Sequence, residues 1–268
     1  MSEVERSYKL IYKEFSPLDC ARGDKLEQTM NTYNLTYKPF GESAILIEWP
    51  ARIDEEIIQD IVAFEKSIVD DQHIVDTIIA YNSLTIRYEY LNNFDRTVLR
   101  LKGVYEEKQD FGKQASRCWQ IPVCYDLKFG LDLSALAKTK QLSVAEVIEL
   151  HTTPNYLIYF LGFQPGFLYL GGLHKQIHTP RRANPRLRVE KGSVGIGGEQ
   201  TGVYPQDSAG GWNILGKSPI DFFDSTKPQP CFAKAGDRIQ FVSVDLDTFY
   251  QIEEEVLQEN YELKFQVL

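Results

Sequence analysis

The chain has 268 residues, a formal net charge of −9 and 43% hydrophobic residues, a composition that suits a globular protein with a full core and predicts two domains. The acidic balance argues against nucleic acid as a partner, and no apolar stretch is long enough to cross a membrane or form a secretion signal, so we expect a cytoplasmic protein. Four cysteines without CxxC spacing indicate neither a disulfide framework nor a zinc site.

The first half of the chain predicts strands and helices that alternate within a small α/β sandwich domain. Residues 31–50 alternate like two strands around a Pro-Phe-Gly turn, and a helix with Asp54 as its N-cap follows. Residues 74–90 predict two further strands, and residues 92–105 have helical spacing.

The second half predicts two short helices followed by a β-barrel. The helices are expected at residues 132–139 and 143–151, the second opened by a capping-box sequence. Beyond them, short strands separated by glycine and proline are typical of a closed or nearly closed barrel. The chain ends with a predicted helix at residues 249–260 and a predicted strand at residues 261–268.

Together these patterns predict an α+β fold in three parts. The polar stretch at residues 103–116 has charge and glycine but no apolar period, so we place the domain boundary there. Residues 1–29 show no continuous period. The predicted parts are a poorly ordered appendage at residues 1–29, a small α/β domain at residues 30–108 and a barrel domain at residues 109–268.

The most informative part of the sequence is an uninterrupted block at residues 161–219. It contains GFQPGFLYLGGL, TPRRANPRLRV, GSVGIGGEQTGVYP and GGWNILGKSP. Glycine and proline are unfavourable in ordinary strands, so their density indicates tight turns or close approach of the backbone to another group. We therefore predict that this block forms a binding surface.

The same block carries a local excess of positive charge. Six cations and one anion lie between residues 171 and 192, on a chain whose net charge is −9. Such a cluster suits a compact anion, a carboxylate or a phosphate, held by the arginine fork. Arg181 and Arg182 are the preferred ligands because they lie in a predicted loop. Arg186 and Arg188 alternate with apolar residues and fit the polar face of a strand equally well.

These motifs resemble those of a known family. The segments GESAILIEW, AYNSL, IPVCY and AGDRIQF, together with the four motifs of the block, are ordered as in the bacterial family of 5-oxoprolinase B subunits, also called the KipI or allophanate hydrolase subunit 1 family. The resemblance runs from about residue 31 to residue 268. It implies a small N-terminal α/β domain followed by a cyclophilin-like β-barrel.

The resemblance also implies an activity and partners. Members of the family open the lactam of 5-oxo-L-proline to L-glutamate with ATP, together with the C and A subunits of 5-oxoprolinase. Two alternatives remain open, because one branch inhibits a histidine kinase and another resemblance is to the carboxyltransferase half of a biotin-dependent urea or allophanate system. The sequence departs from the family pattern at Lys128, where glutamate is common, and at Gln164, which replaces an apolar residue.

Candidate roles follow from the residue types and the resemblance. Arg181 and Arg182 would compensate the charge of a carboxylate or phosphate. His151 is the group expected to titrate near pH 7, although a structural histidine at a helix end is the plainer alternative. These three are the catalytic candidates. The substrate-binding candidates are Gln164, Tyr169, Lys175, Arg186, Gln200, Thr201, Tyr204 and Trp212.

The sequence contains no self-contained nucleotide-binding motif. It has no Walker A loop, and GIGG at residues 195–198 lacks the third glycine of a dinucleotide fingerprint. Glycine amides within residues 192–202 would still approach an anion closely. We expect ATP, with Mg²⁺, to act at the assembled complex, no metal site on this chain, no nucleic-acid or membrane partner, and little ATP hydrolysis by the isolated chain.

Overall fold

The computed structural model describes residues 33–107 and 116–268. The predicted appendage at residues 1–29 lies outside these ranges. No helix in the described ranges is long and apolar enough to cross a membrane. The described chain is organised by a small four-stranded sheet and a larger sheet that closes into a barrel.

The first layer consists of the small sheet and two helices. Its elements are β1 (Thr36–Phe40), β2 (Ala44–Glu48), α1 (Glu55–Ile68), β3 (Ile74–Ala80), β4 (Ser83–Tyr88) and α2 (Phe94–Glu107). The sheet is antiparallel throughout, in the order β1-β2-β4-β3.

Hydrophobic periodicity explains how this layer packs. Ile45 and Ile47 alternate along β2 and are fully buried, and the apolar face of α1 packs in the same core. Asp54 caps α1 by accepting a hydrogen bond from the backbone N–H of Glu56, as predicted. Helix α2 continues to Glu107, so the first residues of the stretch predicted as a boundary are helical.

The rest of the described chain carries ten strands and three helices. They are β5 (Arg117–Cys124), α3 (Leu133–Lys140), α4 (Val144–Thr152), β6 (Asn155–Leu161), β7 (Leu168–Gly171), β8 (Arg186–Val189), β9 (Ser193–Gly197), β10 (Gln200–Val203), β11 (Ser208–Gly210), β12 (Asn213–Lys217), β13 (Arg238–Val244), α5 (Leu246–Leu257) and β14 (Phe265–Val267).

Seven of these strands close a barrel. Their order is β12-β9-β10-β7-β6-β13-β5, and β12 pairs back onto β5 through Lys217 and Cys124. Strand β14 joins the outer edge of β5, and β8 pairs with β11 in a separate two-stranded ribbon. The predicted α+β class, a small α/β layer followed by a barrel, is confirmed.

The two sheets contact each other through β6 and the turn between β3 and β4. Leu157 of β6 is buried in the core of the small layer. Tyr81, in the turn, packs its ring against Tyr159, Phe160 and Tyr169, with ring centroids 4.8 to 6.1 Å apart. The turn of the small sheet is therefore anchored on the outer face of the barrel.

Candidate functional site

The outer face of the barrel is built on glycines. In β9, Val194 and Ile196 point into the barrel core, so Gly195 and Gly197 face outward. Trp212 lies over this face, and a Cβ built at Gly197 would be only 2.5 Å from its Nε1 atom. The glycine density that predicted close backbone approach is thus explained in part by an indole ring of the same chain.

Trp212 belongs to an aromatic cluster on this face. Its ring centroid lies 5.6 Å from that of Phe167 and 6.3 Å from that of Tyr204, and Phe167 in turn contacts Tyr169 at 5.2 Å. Tyr204 and Trp212 are buried, whereas Tyr169 is half-buried. Three of the predicted substrate-binding residues are therefore neighbours, but two of them support the surface from beneath.

The arginines of the basic segment are held by a carboxylate that lies 50 residues earlier in the chain. Asp132, which is 6% exposed, accepts hydrogen bonds from Arg182 Nη1 at 2.7 Å and from Arg186 Nη1 and Nη2 at 2.9 and 2.8 Å. Its Oδ2 also accepts the backbone N–H of Ile214 at 2.7 Å. Arg186 is thereby bound in a bidentate pair, while Arg182 uses only one of its donor nitrogens on this carboxylate.

Most of the remaining charge in the segment is also paired. Arg188 forms an ion pair with Asp207 and Lys191 with Asp221. The predicted charge excess is therefore largely neutralised by carboxylates from other parts of the chain. Within the described residues, the exposed side chains of Arg181 and Lys175 have no ion-pair partner.

Arg181 lies close to the aromatic cluster in the chain's path, because the N–H of the next residue, Arg182, donates to the carbonyl oxygen of Gly211, which precedes Trp212. Burial raises the pKa of Tyr204, while the nearby charges of Arg181 and Arg186 lower it. Arg181 thus combines exposure, an unneutralised charge and proximity to the glycine-built face. It is the residue of the predicted anion clamp whose charge is most available to a ligand.

His151 occupies the barrel interior, away from this surface. Its ring is fully buried, stacks on Phe241 at 4.7 Å, and lies 2.7 Å from both Tyr125 Oη and Thr201 Oγ1. Thr201 donates its own proton to Gly195 O at 3.1 Å, so His151 Nε2–H donates to Thr201 and Nδ1 accepts from Tyr125.

Two predictions are corrected by this network. Burial lowers the pKa of His151 to about 3, so the expectation that it titrates near pH 7 is wrong. Thr201 is also fully buried and bonded within the network, which leaves it no surface on which to meet a substrate. The plainer alternative, a structural histidine, accounts for His151.

The other predicted binding residues lie apart. Gln200 hydrogen-bonds to Tyr81 and so joins the two sheets. Gln164 lies in the loop between β6 and β7, beside a cleft of about 410 Å³, and its buried Oε1 has no hydrogen-bond partner among the described residues. Lys175 is exposed on a short 3₁₀ turn, Lys175–Ile177.

The glycine amides fit a phosphate poorly. The N–H of Gly192 is donated to Tyr204 O at 2.8 Å and that of Gly198 to Thr179 O at 2.7 Å, while Gly195 and Gly197 belong to paired strands. In the described ranges, no group of three or more His, Cys, Asp or Glu residues is arranged to hold a metal ion. The N–H groups of Gly192 and Gly198 are therefore already bonded within this chain.

Comparison with known proteins identifies the family. The model of the carboxyltransferase domain, subdomain C and D, matches residues 35–233. Curated relatives named as the B subunit of 5-oxoprolinase, from Haemophilus influenzae, Bacillus subtilis and Escherichia coli O157:H7, are 39%, 35% and 40% identical over 76%, 84% and 75% of this chain. The matches cover 95%, 99% and 93% of those relatives. The chain belongs to the family of 5-oxoprolinase B subunits. The resemblance inferred from the motifs is confirmed.

Solved structures extend this family assignment to the fold. The crystal structure of TTHA0988 matches with a TM-score of 0.66 and 32% identity over 75% of this chain. The chain spans 40% of that protein. The Kluyveromyces lactis urea amidolyase matches with a TM-score of 0.70 over 91% of this chain and 17% of its own. Since its identity is only 18%, that likeness shows the fold alone.

Within this family member, sequence reasoning missed three structural residues of the site. The sequence marks Asp132 only as the start of a helix, although its carboxylate makes no capping bond and binds two arginines. Tyr81 and Tyr125 stand in the motifs AYNSL and IPVCY, which carried the resemblance but no assigned role. The sequence did offer one signal for Asp132. Several arginines clustered in one segment of an acidic chain are expected to find carboxylate partners elsewhere in the chain.

Proposed function

We propose that this chain is the B subunit of an ATP-dependent 5-oxoprolinase that opens 5-oxo-L-proline to L-glutamate together with the A and C subunits. The observation that carries the proposal is the match to three relatives of that name over at least 93% of their length. The complex acts in the cytoplasm, in keeping with the unpaired thiols of Cys118, Cys124 and Cys231.

In this proposal the chain contributes an anion-binding surface. The substrate carries a carboxylate, and its activation by ATP places a phosphate on the lactam oxygen, so both offer a compact anion. Arg181 binds that anion, assisted by the donors of Arg182 that Asp132 leaves unused. The aromatic cluster, whose Trp212 packs against Gly197, keeps the surface rigid.

The geometry also supports completion of the site by another polypeptide. His151 is sealed in the barrel, and the carboxylate of Asp132 is occupied by four hydrogen bonds. Neither is free to exchange a proton with a substrate on the outer face. ATP and Mg²⁺ therefore bind where the A and C subunits meet this surface, and the chain alone hydrolyses little ATP.

The test is reconstitution of the complex. Co-expression of the chain with the A and C subunits should give ADP release that depends on 5-oxoproline. Replacement of Arg181 by alanine should reduce kcat/KM at least tenfold, because an unpaired charge that faces the anion is lost. Arg188→Ala is the matched control, since Arg188 is exposed but paired with Asp207, and it should stay within twofold of wild type. Absence of 5-oxoproline-dependent ADP release from the wild-type complex would refute the proposal.

A further inference from the structure

The backbone around Arg181 is fixed on both sides. Before it, Asn213 Nδ2 donates to Pro180 O at 3.0 Å, and Thr179 exchanges two backbone hydrogen bonds with Gly198. After it, the N–H of Arg182 donates to Gly211 O at 2.7 Å. Arg181, an exposed loop residue with no ion pair within the described ranges, is thus held on a rigid segment, as a preorganised ligand requires.

The carboxylate of Asp132 connects this segment to the barrel. Its Oδ2 accepts the N–H of Ile214 in β12, and the backbone N–H of Asp132 donates to Ile214 O at 2.9 Å, so the residue is tied to the barrel by two hydrogen bonds to the backbone of Ile214. From there it holds Arg182 and Arg186, which follow Arg181 in the chain. Because the carboxylate is almost fully buried, its bonds to the two guanidinium groups are weakly screened by solvent.

We infer that Asp132 is a positioning residue for the anion-binding segment: it fixes Arg182 and Arg186 to the barrel and thereby holds the guanidinium of Arg181 ready for a compact anion. The inference rests on the proposed function for the identity of that anion, which is either the carboxylate of 5-oxoproline or a phosphate of ATP. Asp132 itself does not touch the ligand.

The variant Asp132→Asn tests this role without removing the side chain. Its amide oxygen still accepts the N–H of Ile214, but the charge that binds both arginines is gone. In the assembled complex, the KM for 5-oxoproline or for ATP should rise at least tenfold while kcat stays within about threefold, since the loss is one of binding. The substrate whose KM rises identifies the anion. Unchanged KM values for both substrates would overturn the inference.

Asp207→Asn is the matched control. Asp207 likewise binds arginine and a backbone N–H, those of Arg188 and Lys191, but it is exposed and directly precedes β11. This variant should leave both KM values within twofold of wild type. An equal rise in KM for Asp207→Asn would mean that any loss of charge in the region weakens binding, and would also overturn the inference.

A readout independent of activity separates this inference from the proposed function. Trypsin cleaves after arginine, and cleavage requires a mobile backbone. In the assembled complex, trypsin should cleave this chain within residues 181–186 at least tenfold faster for Asp132→Asn than for wild type. The rate for Asp207→Asn should equal that of wild type. If the wild-type complex lacks 5-oxoprolinase activity, the proposed function fails and proteolysis still decides the positioning role. Equal cleavage rates for wild type and Asp132→Asn would refute positioning.

Double variants test whether Asp132 acts through Arg181. Asp132→Asn should raise KM less when Arg181 is already alanine than it does in wild type, because only the assistance from Arg182 is then left to lose, whereas independent effects would multiply. Should Asp132→Asn fail to fold, Asn213→Ala loosens the same segment from its other end by removing the bond to Pro180 O. Faster cleavage and a raised KM in that variant support a held segment, and wild-type values for both contradict it.

Discussion

The interior and the outer face of the barrel each hold a cluster of polar side chains, and the two clusters are built differently. Inside, His151, Tyr125 and Thr201 satisfy one another as neutral groups, sealed from water. Outside, Asp132 neutralises part of a positive segment and Arg181 remains exposed without a described ion pair. The hydrogen bonds of the first arrangement stabilise the fold, whereas the second leaves binding capacity at the surface.

The largest effect should come from emptying the interior cluster. The substitution His151→Ala creates a cavity in the barrel core, leaves the hydroxyl of Tyr125 without its partner and removes one of the two hydrogen bonds of Thr201, so we expect a loss of about 4 kcal/mol in the free energy of unfolding. Urea denaturation of the purified chain measures this loss. His73→Ala, at an exposed position, is the control and should change stability by less than about 0.5 kcal/mol. A similarly small change for His151→Ala would contradict the structural role.

The interior cluster also predicts how stability depends on pH. The pKa of His151 is about 3 in the folded chain, well below the ordinary value of about 6.5 that it recovers on unfolding. Neutral His151 therefore contributes fully to the free energy of unfolding above about pH 6.5. As the pH falls below that value, this free energy decreases by up to about 1.4 kcal/mol per pH unit, or about 2 kcal/mol by pH 5. Denaturation of wild type and of His151→Gln at several pH values isolates this residue. The variant should lack that part of the slope, and parallel curves would show that the pKa of His151 does not change on unfolding.

The contrast between the two clusters also explains how far the sequence could predict this molecule. Local rules identified the N-cap at Asp54 and the capping box of Ser143 and Glu146, because these bonds join residues two or three positions apart. The sequence could not show that Asp132 binds Arg182, or that His151 meets Thr201, because each pair is 50 residues apart and is brought together only by barrel closure. Charge and glycine content therefore predicted a binding surface, but could not show which of its cations are neutralised.

A smaller effect should follow from disturbing the glycine-built face. In Gly197→Ala the new methyl group would collide with the indole of Trp212, which must shift within a packed cluster, and we expect a loss of about 1 to 3 kcal/mol. Gly103→Ala is the control and should increase stability. A Cβ at this position meets nothing within 4 Å, and in a helix alanine is favoured over glycine by up to about 1 kcal/mol. Denaturation midpoints compare the two variants. Equal stabilisation of both would show that Trp212 does not depend on the glycine.

The smallest effect on stability should come from Arg181, the residue that matters most for binding. Its side chain is exposed and has no described ion pair, and its neighbours are fixed through backbone bonds that alanine preserves. The free energy of unfolding of Arg181→Ala should therefore stay within about 0.5 kcal/mol of wild type. A loss above about 1 kcal/mol would reveal a structural partner and weaken its assignment as a ligand. Wild-type stability together with reduced kcat/KM in the complex would instead show that this charge is held in place for a partner outside the chain.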